Sequence, residues 1–200
     1  MFVDRYKGMV LLFFEEKDIE VIKNLWNKWK EYTTFLEELK FKINIKDSTL
    51  SREEIIGKIT RRPNLSEFFS EAFWCLYNLK YMNNNKVCRI LEGSSADTYD
   101  IVNGKYQQIK ASIIENDLTS FGPRTKFDEL IFLDFSYLDG SADIYKIDYE
   151  ILKKTLLNKR KKETFEDQQK QGRRPRLSLK KFIKNHPYAC KLLGERIKLW

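Results

Sequence analysis

Asp97, Gln108 and Lys110 flank a turn in the stretch "DTYDIVNGKYQQIKAS" at 97–112, where a hairpin would ordinarily carry β-branched and aromatic packing residues. Asn103-Gly104 predicts a two-residue type I′ turn. Val102 then pairs with Lys105, Ile101 with Tyr106, Tyr99 with Gln108, and Asp97 with Lys110. Strand alternation puts the last three pairs on one side of the sheet and sends Asp100 to the other, opposite Gln107. Paired side chains have Cβ atoms roughly 4.5–5.5 Å apart. A carboxylate oxygen of Asp97 and the amide oxygen of Gln108 can therefore share one hard cation, with the Lys110 ammonium beside it. Mg²⁺ retains several waters, so two protein oxygens can suffice to hold it. The same residues also make an ordinary exposed Asp–Lys cross-strand pair, worth less than about 1 kcal/mol. The hairpin alone is compatible with both readings.

The elements that must position this hairpin are legible from periodicity. "KGMVLLFF" at 7–14 predicts a first strand. From Asp18 to Leu39, Ile22, Leu25, Trp26, Trp29, Leu36 and Leu39 recur at helical spacing and form one apolar stripe. "FKINIKD" reads as a short strand or a loop. "SREE" at 51–54 has the pattern of a capping box opening a helix through Ile59. Pro63 ends that region, and Ser66 can cap a helix over 66–80. On that helix Phe69, Ala72, Phe73 and Leu76 share a face, whereas Glu67, Glu71 and Asn78 lie on a narrow polar strip. "KVCRIL" is the next strand. "ELIFLDF" at 129–135 is continuously apolar, as expected of a central strand covered on both faces. "ADIYKI" at 142–147 follows a turn. "DYEILKKTLLNKR" predicts a helix, and a polar, Gly/Pro-broken loop then leads to a last basic helix. The expected class is α/β, a mixed β-sheet flanked by helices with a basic C-terminal helical and loop region.

Composition narrows the function. Cys75, Cys88 and Cys190 are widely spaced and form no CxxC, which argues against a disulfide framework or a zinc site. His186 is the single histidine, so a histidine-based triad or metal centre has little to draw on. The apolar run "MVLLFF" is too short to span a bilayer and lacks a signal-peptide cleavage site, so a cytoplasmic protein is expected, with no membrane partner. The net charge of +8 is segregated: residues 151–200 hold 16 Lys/Arg against 4 Asp/Glu, a net of +12, and the rest of the chain is net −4. Segregated basic charge fits a polyanion such as nucleic acid, or equally a solvated lysine-rich tail.

Acid, hairpin, then acid-or-amide–x–Lys resembles the PD-(D/E)XK nuclease motif, here Asp97 followed by "QIK" at 108–110. "SEAFWC" (70–75), "DLTSFGPRTKFDELIFLDF" (117–135), "DGSADIYKI" (139–147) and "QGRRPRLSLK" (171–180) narrow the resemblance to the small type II restriction endonucleases of the Bsp6I family, over residues 66–184. It implies a restriction-endonuclease-like fold over a single domain of residues 1–200. Residues 1–62 would supply an N-terminal strand and helices, 63–148 the catalytic core and 149–200 a basic DNA-contacting region. It further implies Mg²⁺-dependent hydrolysis of double-stranded DNA at a short palindromic site by a homodimer, leaving 5′-phosphates. Ala96 replaces the motif's proline and Gln108 its second acid. Because an amide binds Mg²⁺ more weakly than a carboxylate, a further acid is expected. The resemblance points to Glu71, the helix glutamate, ahead of Glu92 and Glu115. The expected catalytic set is Asp97, Gln108, Lys110 and Glu71, with Asp97, Gln108 and Glu71 on the metal. The expected DNA-binding set is Arg124 and Lys126 in "SFGPRTK", Gln168, Gln169 and Gln171, Arg173, Arg174 and Arg176 in "QGRRPR", and Lys180 and Lys181. Two other functions remain compatible with the sequence: a non-catalytic DNA-binding module, and a PD-(D/E)XK nuclease of DNA repair.

Overall fold

The computed structural model describes residues 1–42, 51, 54, 63–114, 117–158 and 160–200. The chain opens with an antiparallel hairpin, β1 (Phe2–Tyr6) and β2 (Met9–Phe13). Lys7 and Gly8 both have positive φ, 48° and 81°, as a two-residue type I′ turn requires. The expected first strand is thus β2, with an unforeseen partner at the sheet edge. A single 3₁₀ turn (Glu16–Asp18) leads into α1 (Ile19–Lys42). Ile22, Trp26 and Leu36 of the expected stripe are buried, whereas Leu25 is exposed. Trp26 packs against Phe69 and Phe135, with both ring centroids at 5.8 Å, and Trp29 Nε1 donates to the Pro63 carbonyl at 3.0 Å. Trp26 lies in the core, and Trp29 packs half-buried at its margin.

The "FKINIKD" segment beyond Lys42, the helix expected through Ile59 and Glu115 lie outside the described residues. The reciprocal cap itself is present: the Ser51 N–H donates to Glu54 Oε2 at 2.8 Å, and the Glu54 N–H donates to Ser51 Oγ at 3.1 Å. Ser66 Oγ accepts the Phe69 N–H at 3.1 Å and starts α2 (Glu67–Tyr81). Ten successive residues of α2, Phe69 to Asn78, are buried, including Glu71 and Asn78 of the polar strip.

The strands that follow are β3 (Val87–Glu92), β4 (Thr98–Asp100), β5 (Lys105–Ser112), β6 (Thr119–Ser120), β7 (Glu129–Asp134) and β8 (Ala142–Ile147). Within the described residues one eight-stranded sheet runs β1-β2-β3-β4-β5-β7-β8-β12, where β12 is Cys190–Ile197. The β5–β7 pair is parallel and its other neighbours are antiparallel, which makes the sheet mixed, as expected. The continuous apolar run of β7 is covered on both sides. Ile131 and Leu133 meet α1 and α2. Leu130 and Phe132 meet Leu152, Phe165, Leu179 and Phe182 from the C-terminal helices.

The C-terminal quarter departs from expectation. The helix predicted over "DYEILKKTLLNKR" stops after one turn, α3 (Tyr149–Lys153). Leu156–Asn158 instead forms β9, paired with β10 (Glu163–Thr164). The polar loop contains a helix, α4 (Phe165–Lys170), opened by a Thr164–Asp167 capping box. After β11 (Arg176–Leu177) and α5 (Leu179–Asn185), β12 lines the far edge of the sheet. Its register shifts at Leu192, Gly194 and Ile197, and "CKLLGERI" carries none of the alternation that would announce a strand. No helix among the described residues is long and apolar enough to cross a membrane.

Candidate active site

The hairpin forms in a register shifted by two residues from the one its turn sequence predicts. Thr98 pairs with Gln107, Tyr99 with Tyr106 and Asp100 with Lys105. The connection is the four-residue loop Ile101–Gly104, in which Gly104 alone has positive φ (65°), so a type I′ turn is ruled out. Asp100 selects this loop. Its carboxylate accepts the N–H groups of Val102 (3.0 Å) and Asn103 (3.2 Å) and the Asn103 side-chain amide (2.7 Å). Gln107 holds the same register from the other strand. Its Oε1 accepts from Trp74 Nε1 (2.8 Å) and Thr98 Oγ1 (3.1 Å), and its Nε2 donates to Glu129 (2.9 Å). A two-residue shift preserves which face each side chain takes. Asp97 therefore stays with Gln108 and Lys110, but it meets Gln108 directly where Lys110 was expected.

That contact sits where β4 stops pairing with β5. Asp97 Oδ2 accepts both the Gln108 side-chain amide and the Ile109 N–H, the latter at 2.7 Å, so a side chain completes the ladder where the backbone leaves it. From there the β5 edge borders a cleft of about 250 Å³ lined by Asn64, Glu67, Lys110, Asp117 and Ser120 among others. The Lys110 ammonium lies 5.9 Å from the centre of the Phe121 ring. Burial raises the Asp97 carboxyl above its ordinary range. The Lys110 charge and the Ile109 and Gln108 hydrogen bonds oppose that shift, and Glu67 adds to it.

Glu71, on α2, is buried and close enough to Asp97 for their charges to interact. Burial is the largest influence on its carboxyl and pushes it up to about 7, against the pull of Arg89. The Arg89 Nε–H of β3 donates to Glu71 Oε2, and Arg89 faces Thr98 across the ladder. Glu71 thus reaches the neighbourhood of Asp97 but is already held by a cation. Glu92, at the exposed end of β3, has no such placement.

Among the described residues no three His, Cys, Asp or Glu side chains gather into a ready-made metal site. Asp97 and the Gln108 amide meet directly, and the buried Glu71 carboxylate interacts with Asp97 through its charge. Gln108 presents its NH₂ to Asp97, and a half-turn of the amide would present its oxygen instead. All-oxygen donors of this kind fit a hard divalent cation that keeps part of its water shell.

The two predicted DNA-contacting loops form one surface. β6 and β11 pair, Ser120 with Arg176 and Thr119 with Leu177, and the Phe121 N–H donates to the Pro175 carbonyl at 3.1 Å. Gln169 ties the same loops together, donating to the Gly122 carbonyl (3.0 Å) and accepting from the Tyr149 hydroxyl (3.1 Å). Arg124, Lys126, Arg174, Arg176 and Lys181 are exposed, with no ion pair among the described residues. Gln168 is half-buried, and Gln171 is exposed beside Glu163. Arg173 pairs with Glu163 at 2.6 Å. Lys180 is nearly buried, with its side chain 11% exposed, and is ion-paired to Asp134 at 2.8 Å. It anchors α5 to the end of β7 and does not present its charge outward.

Sequence reasoning did not name Arg89 and placed Gln107 only as a strand partner of Asp100, because the roles of both rest on long-range partners.

Comparison with known proteins gives one family: the model described as Bsp6I restriction endonuclease matches residues 49–186, a stretch that holds the whole cleft and both loops. A relative, the "Type II restriction enzyme Bsp6I" of Bacillus sp. (strain RFL6), is 45% identical over 71 residues, which cover 34% of this chain. The matched stretch spans 40% of that relative's length. No solved structure matches the chain.

Proposed function

The chain belongs to the Bsp6I restriction endonuclease family, and from that membership and the Asp97–Gln108 contact at the β4–β5 junction we propose that it is a Mg²⁺-dependent type II restriction endonuclease. Its substrate would be double-stranded DNA, cut at a short palindromic site. The observation that carries this reading is the meeting of Asp97 with Gln108 at the open edge of β5, with Lys110 two residues further along the strand. A solvated surface pair would not require the carboxylate to be desolvated there and to take up the Ile109 N–H.

In this mechanism Asp97 and Gln108 would hold the cation and α2 would supply a further acid, with Glu71 the sequence-based choice. Bound Mg²⁺ would supply Lewis-acid polarisation of the scissile phosphate and acidify a water. Lys110 donates hydrogen bonds to the phosphate oxygens, whose negative charge grows as water attacks phosphorus, and it orients that water. A new oxygen–phosphorus bond would form as the bond to the 3′-oxygen breaks, the attacking water losing a proton to solvent and the 3′-oxygen taking one up, so that the products carry a 5′-phosphate and a 3′-hydroxyl. Asp97 is kept in place by the Ile109 N–H, so little reorganisation is needed during the reaction.

Arg124, Lys126, Arg174, Arg176 and Lys181 would meet the duplex, with Gln168 and Gln171 beside them and Arg173 free to do so once Glu163 releases it. Arginine forks suit guanine O6/N7 or phosphate oxygens. Gln169 and Lys180 would act by holding the reading surface together. A palindrome cut on both strands is most simply served by a C₂ homodimer with one cleft per subunit. The test is incubation with a long plasmid, with Mg²⁺ or with EDTA. Discrete Mg²⁺-dependent fragments support the proposal. A smear would indicate a non-specific nuclease, and intact DNA with a gel shift would indicate a binding module.

A further inference from the structure

We propose that Phe121 is the positioning residue for Lys110, holding its ammonium beside the cleft by the attraction of the aromatic ring for a cation. This rests on the nuclease reading above and assigns what orients its lysine. A lysine carries its charge on a flexible four-carbon stem, so a reacting ammonium needs a directed contact to fix where it points. Lys110 lines the cleft, yet it makes no hydrogen bond and no ion pair among the described residues. Its ammonium lies over the Phe121 ring, 5.9 Å from the centre, within the range at which the ring's negative face attracts a cation.

The ring is itself fixed. Phe121 is 2% exposed and packs edge-on against Phe165 of α4, with centroids 5.0 Å apart and planes at 73°. Its N–H donates to the Pro175 carbonyl at 3.1 Å. Ser120, the residue before it, lines the same cleft and pairs with Arg176 across β6 and β11. The ladder that anchors the "GRRPR" loop therefore also sets the ring, and with it Lys110, relative to the surface that would seat the duplex. The competing role for Phe121 is that of a core residue alone, filling the cluster of Leu130, Phe132 and Phe165. In that role its volume would matter and the charge distribution of its ring would not.

Two measurements on the full-length protein separate these roles. The first is the rate of Mg²⁺-dependent plasmid cleavage with enzyme in saturating excess, so that binding does not limit. Trifluorophenylalanine at position 121 keeps the ring's shape and drains its negative face. It should slow cutting by roughly three- to thirtyfold, the range such a contact represents, with a thermal midpoint close to wild type. Phe121→Leu should slow it at least as much. Phe182→Leu removes another buried ring of the same cluster and should leave the saturated rate unchanged. The second measurement is independent of cleavage: in ¹³C-lysine-labelled protein, the Lys110 ε-methylene signal, assigned by its loss in Lys110→Arg, should lie upfield of the other lysines and return to their range in Phe121→Leu. A Lys110 signal among the other lysines in the wild type would show that the contact does not form. An upfield signal with an unchanged rate in the trifluoro variant, or equal slowing by Phe182→Leu, would reduce Phe121 to packing and overturn the proposal. A wild type with the upfield signal that cuts no plasmid would overturn the nuclease reading, and the positioning role with it.

Discussion

Glu71 makes the stability of this protein depend on pH in a window where little else titrates. Its carboxyl is raised from 4.5 to about 7 in the fold, chiefly by burial. Between these values the folded state holds a proton that the unfolded state has released, so stability falls as pH rises. One pH unit of such displacement is worth about 1.4 kcal/mol. Integrated from pH 5 to 7.5, the loss is about 2 kcal/mol. In a chain of this size that corresponds to roughly 4–8 °C in thermal midpoint. Asp97 is raised too, which adds a change of the same sign at the acid end. The amino terminus, raised from 8.0 chiefly by Asp18, loses its contribution only above the window. Thermal unfolding without divalent metal, in steps from pH 5 to 7.5, should show the midpoint falling for the wild type. For Glu71→Gln, most of that slope should disappear. A wild-type midpoint that is flat or rises with pH, or a Glu71→Gln slope equal to the wild type, would refute the reasoning.

Gln108 is proposed to contribute only an oxygen, so Gln108→Glu should retain Mg²⁺-dependent cleavage and Gln108→Leu should lose nearly all of it, measured as initial rates across a Mg²⁺ series. Lys180→Ala removes one partner of a mostly buried ion pair and should lower stability by about 3 kcal/mol in urea unfolding. Lys181→Ala should leave stability unchanged and flatten the salt dependence of duplex binding, by about 0.9 in log K against log[salt] if it holds one phosphate. Arg174→Ala and Arg176→Ala should each cost about 1–3 kcal/mol on cognate duplex if the arginine reads a base. Equal losses on random duplex would make that arginine a phosphate clamp.

What was legible in the sequence followed from local rules. Ser66 capped α2 as written, the period-3.6 stripe of α1 buried Ile22, Trp26 and Leu36, and the apolar run of β7 lay between two helical layers. Strand parity kept Asp97 with Gln108 and Lys110, which survived an error in register because the error was even. The register was misread because a local turn preference lost to tertiary contacts. Asn103-Gly104 favours a tight turn, whereas Asp100 and the buried amide of Gln107 satisfy more polar groups in the longer loop. The Thr164–Asp167 capping box was visible in "TFED" and overlooked. β9, β10 and β12 carried no period-two signal, so only their partners define them. That Lys180 and Gln169 turn inward could not be read from a sequence in which they sit among exposed basic and amide residues.

Cleavage and duplex binding by Asp97→Ala and Lys110→Ala, measured side by side with Asp100→Ala, test the site most directly. Both substitutions should abolish Mg²⁺-dependent cutting while leaving cognate-duplex affinity close to wild type. Asp100→Ala should lower stability through its turn and keep measurable cleavage. Near wild-type cutting by Asp97→Ala or Lys110→Ala would contradict an active site at the β4–β5 junction.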